Sequence, residues 1–99
     1  MEIRWTPAAA ADFREISRYI EEERNLDTAN RVCRRMYDAI QTLRSLPQLG
    51  RAGLRENTRE LVHPSYFIVY RLHEDAAEIL HICTGHRAGG RFCGTARII

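Results

Sequence analysis

The chain has 99 residues, 44% of them hydrophobic and 28% charged, with a net charge of +2, which is typical of one globular domain. No apolar run is long enough to cross a membrane, and the N-terminus lacks the basic and then apolar pattern of a signal peptide. The three cysteines form no CxxC pair, which argues against a disulfide scaffold and fits a reducing compartment. We therefore expect a cytoplasmic protein that does not contact a membrane.

Arginine supplies all 15 of the basic side chains other than histidine, and no lysine is present. Residues 1–50 contain eight arginines and eight acids, whereas no acid follows Glu78. The arginines of the last fifteen residues are therefore unopposed, and they are the best candidates for contact with an acidic partner or DNA; a solvated tail is the alternative. Two strand arginines could also bind a partner or flank the core and pair with acids. The candidates are Arg59, Arg71, Arg87, Arg91 and Arg97.

The first half of the chain predicts a short strand followed by a helical hairpin. Residues 2–5 alternate in polarity, as a strand does. Thr6 and Pro7 are a typical helix start, and this helix ends near residue 24. Asp27 is the expected cap of a second helix, which Pro47 stops. The short connection predicts that the two helices are antiparallel.

The second half predicts a loop at residues 48–57 and then three strands. The strands are expected at residues 58–62, 66–72 and 77–84, with the apolar run Tyr66–Tyr70 as a central strand buried on both faces. Short turns between them predict an antiparallel meander. Residues 88–99 are a basic tail that contains glycines. We predict one α+β domain over residues 1–99, with a helical hairpin packed on an antiparallel sheet.

Several short motifs, in this order and spacing, resemble the ParE/RelE superfamily of toxins from type II toxin–antitoxin systems. They are Trp5-Thr6-Pro7-Ala8 with Asp12, Pro47-x-x-Gly50-Arg51, Thr58-Arg59-Glu60-Leu61-Val62 and Tyr66-x-Ile68-Val69-Tyr70-Arg71. The resemblance covers residues 2 to 87. It implies a strand, two helices and three further strands.

The superfamily includes two activities, and the resemblance favours one of them. RelE-like members cleave mRNA on the ribosome with basic side chains, whereas ParE-like members inhibit DNA gyrase by binding it. Thr58, Glu60 and Phe67 stand where a RelE-like nuclease would carry cations, and only Arg87 is a basic match. We expect the ParE-like activity, which is not enzymatic. A ribosome-dependent endoribonuclease using Arg87, His86 and Glu60, or an inactive homologue that only binds a partner, are the alternatives.

The resemblance also implies a cognate antitoxin whose C-terminal segment wraps the toxin. The expected assembly is a homodimer or a toxin–antitoxin hetero-oligomer. Apolar side chains on the two helices are mainly expected in the core but could also contact the antitoxin: Phe13, Ile16, Ile20, Val32 and Met36. We expect no cofactor. His81, Cys83, His86 and Cys93 are possible zinc ligands by type, but they lack the usual spacing, so no metal site is predicted.

Overall fold

The computed structural model describes residues 1–63, 66–84 and 92–93. Within these ranges, no helix is both long and apolar enough to cross a membrane. The elements in chain order are β1 (Glu2–Trp5), α1 (Pro7–Glu23), α2 (Leu26–Gln41), a 3₁₀ turn (Thr42–Arg44), β2 (Arg51–Ala52), β3 (Arg59–His63), β4 (Tyr66–Leu72), β5 (Ala76–Thr84) and β6 (Phe92–Cys93).

Both helices begin at a side-chain cap. The Thr6 hydroxyl accepts the Ala9 N–H at 3.1 Å, with Pro7 at the first helical position, as the sequence predicts. The second helix is capped by Asn25, whose Oδ1 accepts the Thr28 N–H at 2.7 Å. The prediction of Asp27 as this cap is therefore wrong. Asp27 lies in the first turn, where its charge still interacts favourably with the helix dipole.

The sheet has the strand order β1-β5-β4-β3-β2, and β6 also pairs with β5. The predicted antiparallel meander of β3, β4 and β5 is confirmed, as is the α+β class. The sheet as a whole is mixed, because β1 pairs with β5 in parallel. The long connection through both helices permits this arrangement. A short strand, β2, forms within the predicted loop and pairs with β3.

The core lies between the sheet and the two helices. Alternate residues of β4, namely Tyr66, Ile68 and Tyr70, are buried against the helices, since successive strand residues point to opposite faces. Two of the five helix residues considered for antitoxin contact are part of this core. Ile16 is 4% exposed and Met36 is 0% exposed, so neither offers surface to a partner in this fold.

Tyr70 fixes the chain between the 3₁₀ turn and β2. Its fully buried hydroxyl accepts the Gly50 N–H at 2.9 Å and donates to the Pro47 carbonyl at 2.8 Å. A Cβ at position 50 would lie 2.7 Å from that hydroxyl, so only glycine fits there. The Arg59 guanidinium also donates to the Gly50 carbonyl, at 2.7 Å. Arg59 is therefore part of the structure that holds this loop.

The first helix and its cap complete the outer edge of β5. Along this edge, β1 pairs with Ala76–Ile79 and β6 pairs with Cys83 and Thr84. Where the first stretch ends, the Ile79 carbonyl accepts the Thr6 N–H at 3.2 Å and the Thr6 hydroxyl at 2.7 Å, and the same hydroxyl lies 3.2 Å from the carbonyl of Leu80.

Asp12, which is fully buried, contributes the second contact between α1 and this edge. Its Oδ2 accepts the Ile82 N–H at 3.0 Å and lies 3.2 Å from Nδ1 of His81. Side chains of α1 and its cap thus supply hydrogen bonds where the edge lacks a strand partner, which satisfies backbone groups that would be costly to bury unpaired.

We expect the free energy of unfolding to fall as the pH rises above about 10. Burial raises the pKa of Tyr70, and this outweighs the lowering by the Gly50 hydrogen bond and the Arg59 charge. The folded chain therefore retains a proton that the unfolded chain releases, so stability is lost as the pH rises. No lysine titrates in this range, because the chain has none. Urea unfolding followed between pH 8 and pH 11 measures the decline.

The Tyr70→Phe variant tests the assignment of this decline. It should lose about 1–3 kcal/mol at pH 8, because the Gly50 N–H loses its acceptor, and its decline at alkaline pH should be shallower. Part of the decline remains, since burial also raises the pKa of Tyr66. Tyr37, on α2, is about half exposed, so Tyr37→Phe is the matched control. Equal alkaline slopes in the two variants would contradict the assignment.

A second prediction concerns the contact between α1 and β5. Asp12→Ala should lower the free energy of unfolding by about 2–3 kcal/mol, because a hydrogen bond to a charged group is lost and the Ile82 N–H remains buried. Asp12→Asn should cost less, since its amide oxygen can still accept that N–H. Asp38 is an exposed acid on α2, and Asp38→Ala serves as the control in the same urea titration. The contact is unimportant if Asp12→Ala and Asp38→Ala are equally stable.

Candidate functional site

A groove of about 520 Å³ lies on the face of the sheet that points away from the helices. Its floor includes Glu60 of β3 and Val69 of β4, which are directly opposite each other in the strand register. Thr58, which precedes β3, and Phe67 of β4 line it as well. We call this feature the sheet groove. The strand alternation of β3 and β4 dictates its position, because the intervening residues face the core.

The structure thus brings together the three residues that the resemblance singled out as lacking positive charge. Thr58, Glu60 and Phe67 are all at most 7% exposed. The Glu60 carboxylate is 3.3 Å from the guanidinium of Arg51, the first residue of β2, whose side chain is mostly exposed. A buried carboxylate needs such a partner, since an unpaired buried charge is strongly unfavourable. The negative charge of the Glu60 carboxylate is therefore compensated by the Arg51 guanidinium.

Two arginines contribute positive charge to the sheet groove from its sides. Arg55 comes from the loop between β2 and β3, and Arg71 lies near the end of β4. Both are exposed, and neither forms an ion pair or a side-chain hydrogen bond with any residue that the structure describes. The sequence prediction that Arg71 faces a partner or ligand remains a prediction. Arg59, by contrast, donates to the carbonyls of Gly50 and Gln48 in the preceding loop.

His81 of β5 also lines the sheet groove, and Asp12 holds its ring from behind. A carboxylate accepts hydrogen bonds only, so the Nδ1 that faces Asp12 carries the proton. The His81 side chain is 39% exposed, whereas that of Asp12 is fully buried. Sequence reasoning considered His81 only as a metal ligand and Asp12 only as a family match. It missed the pair, because 69 residues separate the two.

The remaining candidates are the possible metal ligands, the cysteines and the C-terminal arginines. Among residues 1–63, 66–84 and 92–93, no group of three or more histidine, cysteine or acidic side chains could hold a metal ion. Cys83 is buried and disulfide-bonded, although the cysteine pattern argues against a disulfide scaffold, and Cys33 is a free thiol. Four predicted site residues lie outside the described residues: His86, Arg87, Arg91 and Arg97.

The helical hairpin presents a second candidate surface on the opposite side of the molecule. Three large side chains are exposed there: Tyr19 by 60%, Leu26 by 55% and Tyr37 by 48%. The remaining antitoxin candidates are partly buried at the boundary of the core, where Phe13 packs edge-on against Trp5 with ring centroids 5.5 Å apart. These remaining candidates are Phe13, Ile20 and Val32.

Comparison with known proteins connects this architecture to one family. The family model of the ParE toxin of type II toxin–antitoxin systems (parDE) matches residues 3–89. A protein of Sinorhizobium fredii (strain NBRC 101917 / NGR234) named "Putative toxin Y4kP" is 40% identical over 87 residues. The match covers 86% of this chain and 88% of that protein.

A solved structure shares the fold. It is titled "Chromosomal ParDE TA system from P. aeruginosa" and superposes with a TM-score of 0.75 at 21% identity, covering 83% of this chain and 92% of the other. The matched family model extends from within β1 past the end of β5, and so includes both helices, the sheet groove and the edge that Asp12 completes. On these grounds the chain belongs to the ParE family of type II toxin–antitoxin toxins.

Proposed function

We propose that this toxin inhibits DNA gyrase by binding it in the cytoplasm, and that a cognate antitoxin neutralises it. The observation that carries the proposal is the match of the ParE toxin model to residues 3–89, since ParE-like toxins act on gyrase. Inhibition by binding requires a complementary surface but no catalytic group. The proposed toxin therefore needs no cofactor.

Three positions of the sheet groove support this choice over RNA cleavage. Cleavage by the 2′-hydroxyl needs a base and a positive charge that stabilises the phosphorane. The three positions that would carry cations in a RelE-like nuclease are Thr58, Glu60 and Phe67, all buried. Glu60 is also paired with Arg51, and the cations that do line the groove, Arg55 and Arg71, stand at other positions. The endoribonuclease is therefore the second reading, to be tested beside the first.

The first test measures supercoiling by purified gyrase and the integrity of ribosome-bound mRNA in parallel reactions. We expect the protein to inhibit supercoiling and to accumulate cleaved DNA, while the mRNA stays intact. Replacing Arg87, Arg91 and Arg97 together by Gln should weaken inhibition about tenfold, which corresponds to about 1.4 kcal/mol of binding free energy. These arginines are the proposed gyrase contacts because no acid follows Glu78.

The matched control replaces Arg14, Arg18 and Arg34 by Gln, which removes the same charge from exposed helix positions. This variant should inhibit gyrase as the unmodified protein does. Cut mRNA with unaffected gyrase would instead establish the RelE-like reading, for which Arg87→Ala should abolish cleavage. If neither target is affected and overexpression is harmless, the protein is an inactive homologue that only binds its partner.

We further propose that the antitoxin covers the outer surface of the helical hairpin. The supporting observations are the exposed Tyr19, Leu26 and Tyr37, with the partly buried Phe13 and Ile20 beside them. Exposed apolar and aromatic residues of this kind are typical of protein contact surfaces. The resulting assembly is a toxin–antitoxin hetero-oligomer.

The partner to test is the small DNA-binding protein that we expect the neighbouring reading frame to encode. Replacing Tyr19 and Tyr37 together by Ser should weaken its binding at least tenfold in a calorimetric titration, because buried tyrosines are frequent anchors in interfaces. Val62→Ser is the control, since Val62 is 54% exposed but lies on β3, away from the hairpin. The proposed surface is wrong if Val62→Ser weakens binding and the tyrosine variant does not.

A further inference from the structure

The sheet groove concentrates positive charge that the protein does not use internally. Arg55 and Arg71 both line it, and neither has an anionic partner among the described residues. The acid in the groove, Glu60, is already paired with Arg51. Glu78 is opposite Arg71 in the strand register, but its carboxylate is bonded to His73 at 2.8 Å. Apart from His81, the charged residues that line the groove are thus two arginines and one carboxylate, and that carboxylate is paired with an arginine outside the lining.

Hydrogen bonds across the loop that carries Arg55 hold its backbone. The Gly53 N–H donates to the Thr58 carbonyl at 2.8 Å, and the Thr58 hydroxyl donates to the Arg55 carbonyl at 2.6 Å. A Cβ at position 53 would lie 2.3 Å from the Thr58 hydroxyl oxygen, so the approach requires glycine. A fixed backbone lowers the entropy lost when Arg55 binds a ligand.

Two further groups line the same groove. The beginning of α1 contributes Ala8, whose N–H has no acceptor among the described residues, near the positive end of the helix dipole. The His81 ring is oriented by the buried Asp12 carboxylate through Nδ1. When protonated, such an imidazole donates hydrogen bonds through both nitrogens.

The groove also has an apolar part. Phe67, Val69 and Leu80 line it beside the charged residues. Phosphate esters of nucleosides combine an anionic group with a flat, largely apolar one. Arginine is well suited to bind the phosphate, because its guanidinium forms two parallel hydrogen bonds with phosphate oxygens. The flat base usually stacks against aromatic and apolar side chains.

We propose that the sheet groove binds a nucleoside monophosphate or a similar small phosphate ester. Arg55 and Arg71 bind the phosphate, the Ala8 amide and His81 lie beside it, and the nucleoside contacts Phe67 and Val69. This site lies on the sheet face away from the helical hairpin, and the residues that line it do not include the C-terminal arginines proposed to contact gyrase. Its existence does not depend on whether gyrase is the target.

The experiment is a titration of the ¹⁵N-labelled full chain, followed by amide chemical shifts at 0.15 M salt, with three probes. AMP should cause saturable shifts at Ala8, Arg55 and Arg71, with a dissociation constant of about 1 mM or lower, the weak end of specific binding. Inorganic phosphate should shift the same amides at higher concentration, because it lacks the nucleoside. Adenosine, which lacks the phosphate, should bind at least tenfold more weakly than AMP.

Arg55→Gln and Arg71→Gln should each weaken AMP binding about tenfold, while leaving the far-ultraviolet circular dichroism spectrum unchanged because both side chains are exposed. Arg34→Gln, which removes an exposed α2 arginine outside the groove, should bind AMP normally. Three results would overturn the proposal. They are the absence of saturation, an equal loss of affinity in Arg34→Gln, and binding of adenosine as tight as that of AMP.

Discussion

A buried carboxylate on the first helix and the cap of that helix supply the hydrogen bonds that the outer edge of β5 would otherwise lack. Asp12 accepts the Ile82 N–H between the stretches of β5 that pair with β1 and β6, and the Thr6 hydroxyl donates to the carbonyls of Ile79 and Leu80 where the pairing with β1 ends. These contacts fix the position of α1 on the sheet. They also place the beginning of α1 and the His81 ring at the sheet groove. The fold and the groove therefore depend on the same few hydrogen bonds.

The two faces of the sheet serve different purposes, and strand alternation separates them. Arg59 and Arg71 lie on neighbouring strands, and the sequence suggests the same role for both. The register shows otherwise, because Arg59 is opposite Tyr70, on the helix side, whereas Arg71 lines the groove. Arg59 is occupied by the carbonyls of Gln48 and Gly50, while Arg71 faces solvent. A surface for a protein partner on the hairpin and a groove for a small anion can therefore coexist.

Local patterns in the sequence predict most of the fold. The helical stripes, the Thr6 cap and the apolar run of β4 depend on neighbouring residues, and each is found where expected. The second cap was assigned incorrectly because Asn25 and Asp27 are both good caps two positions apart. The parallel pairing of β1 with β5 depends on contacts between distant residues, which no local pattern reveals. The Asp12–His81 pair escaped prediction for the same reason. The sequence did identify Thr58, Glu60 and Phe67 as a group, through the family resemblance and not through periodicity.

The pairing of β1 with β5 also has a consequence for synthesis of the toxin on the ribosome. Residues 2–5 are made first, but their partners, residues 76–79, emerge only in the last quarter of translation. Before then, the outer edge of β5, the contact of Asp12 with Ile82 and the wall of the groove formed by β5 do not exist. Contacts between residues so far apart in sequence form late and slow folding. We therefore expect chains whose translation stops before residue 76 to lack the toxin fold. Folded toxin is then present in the cell only after translation is nearly complete.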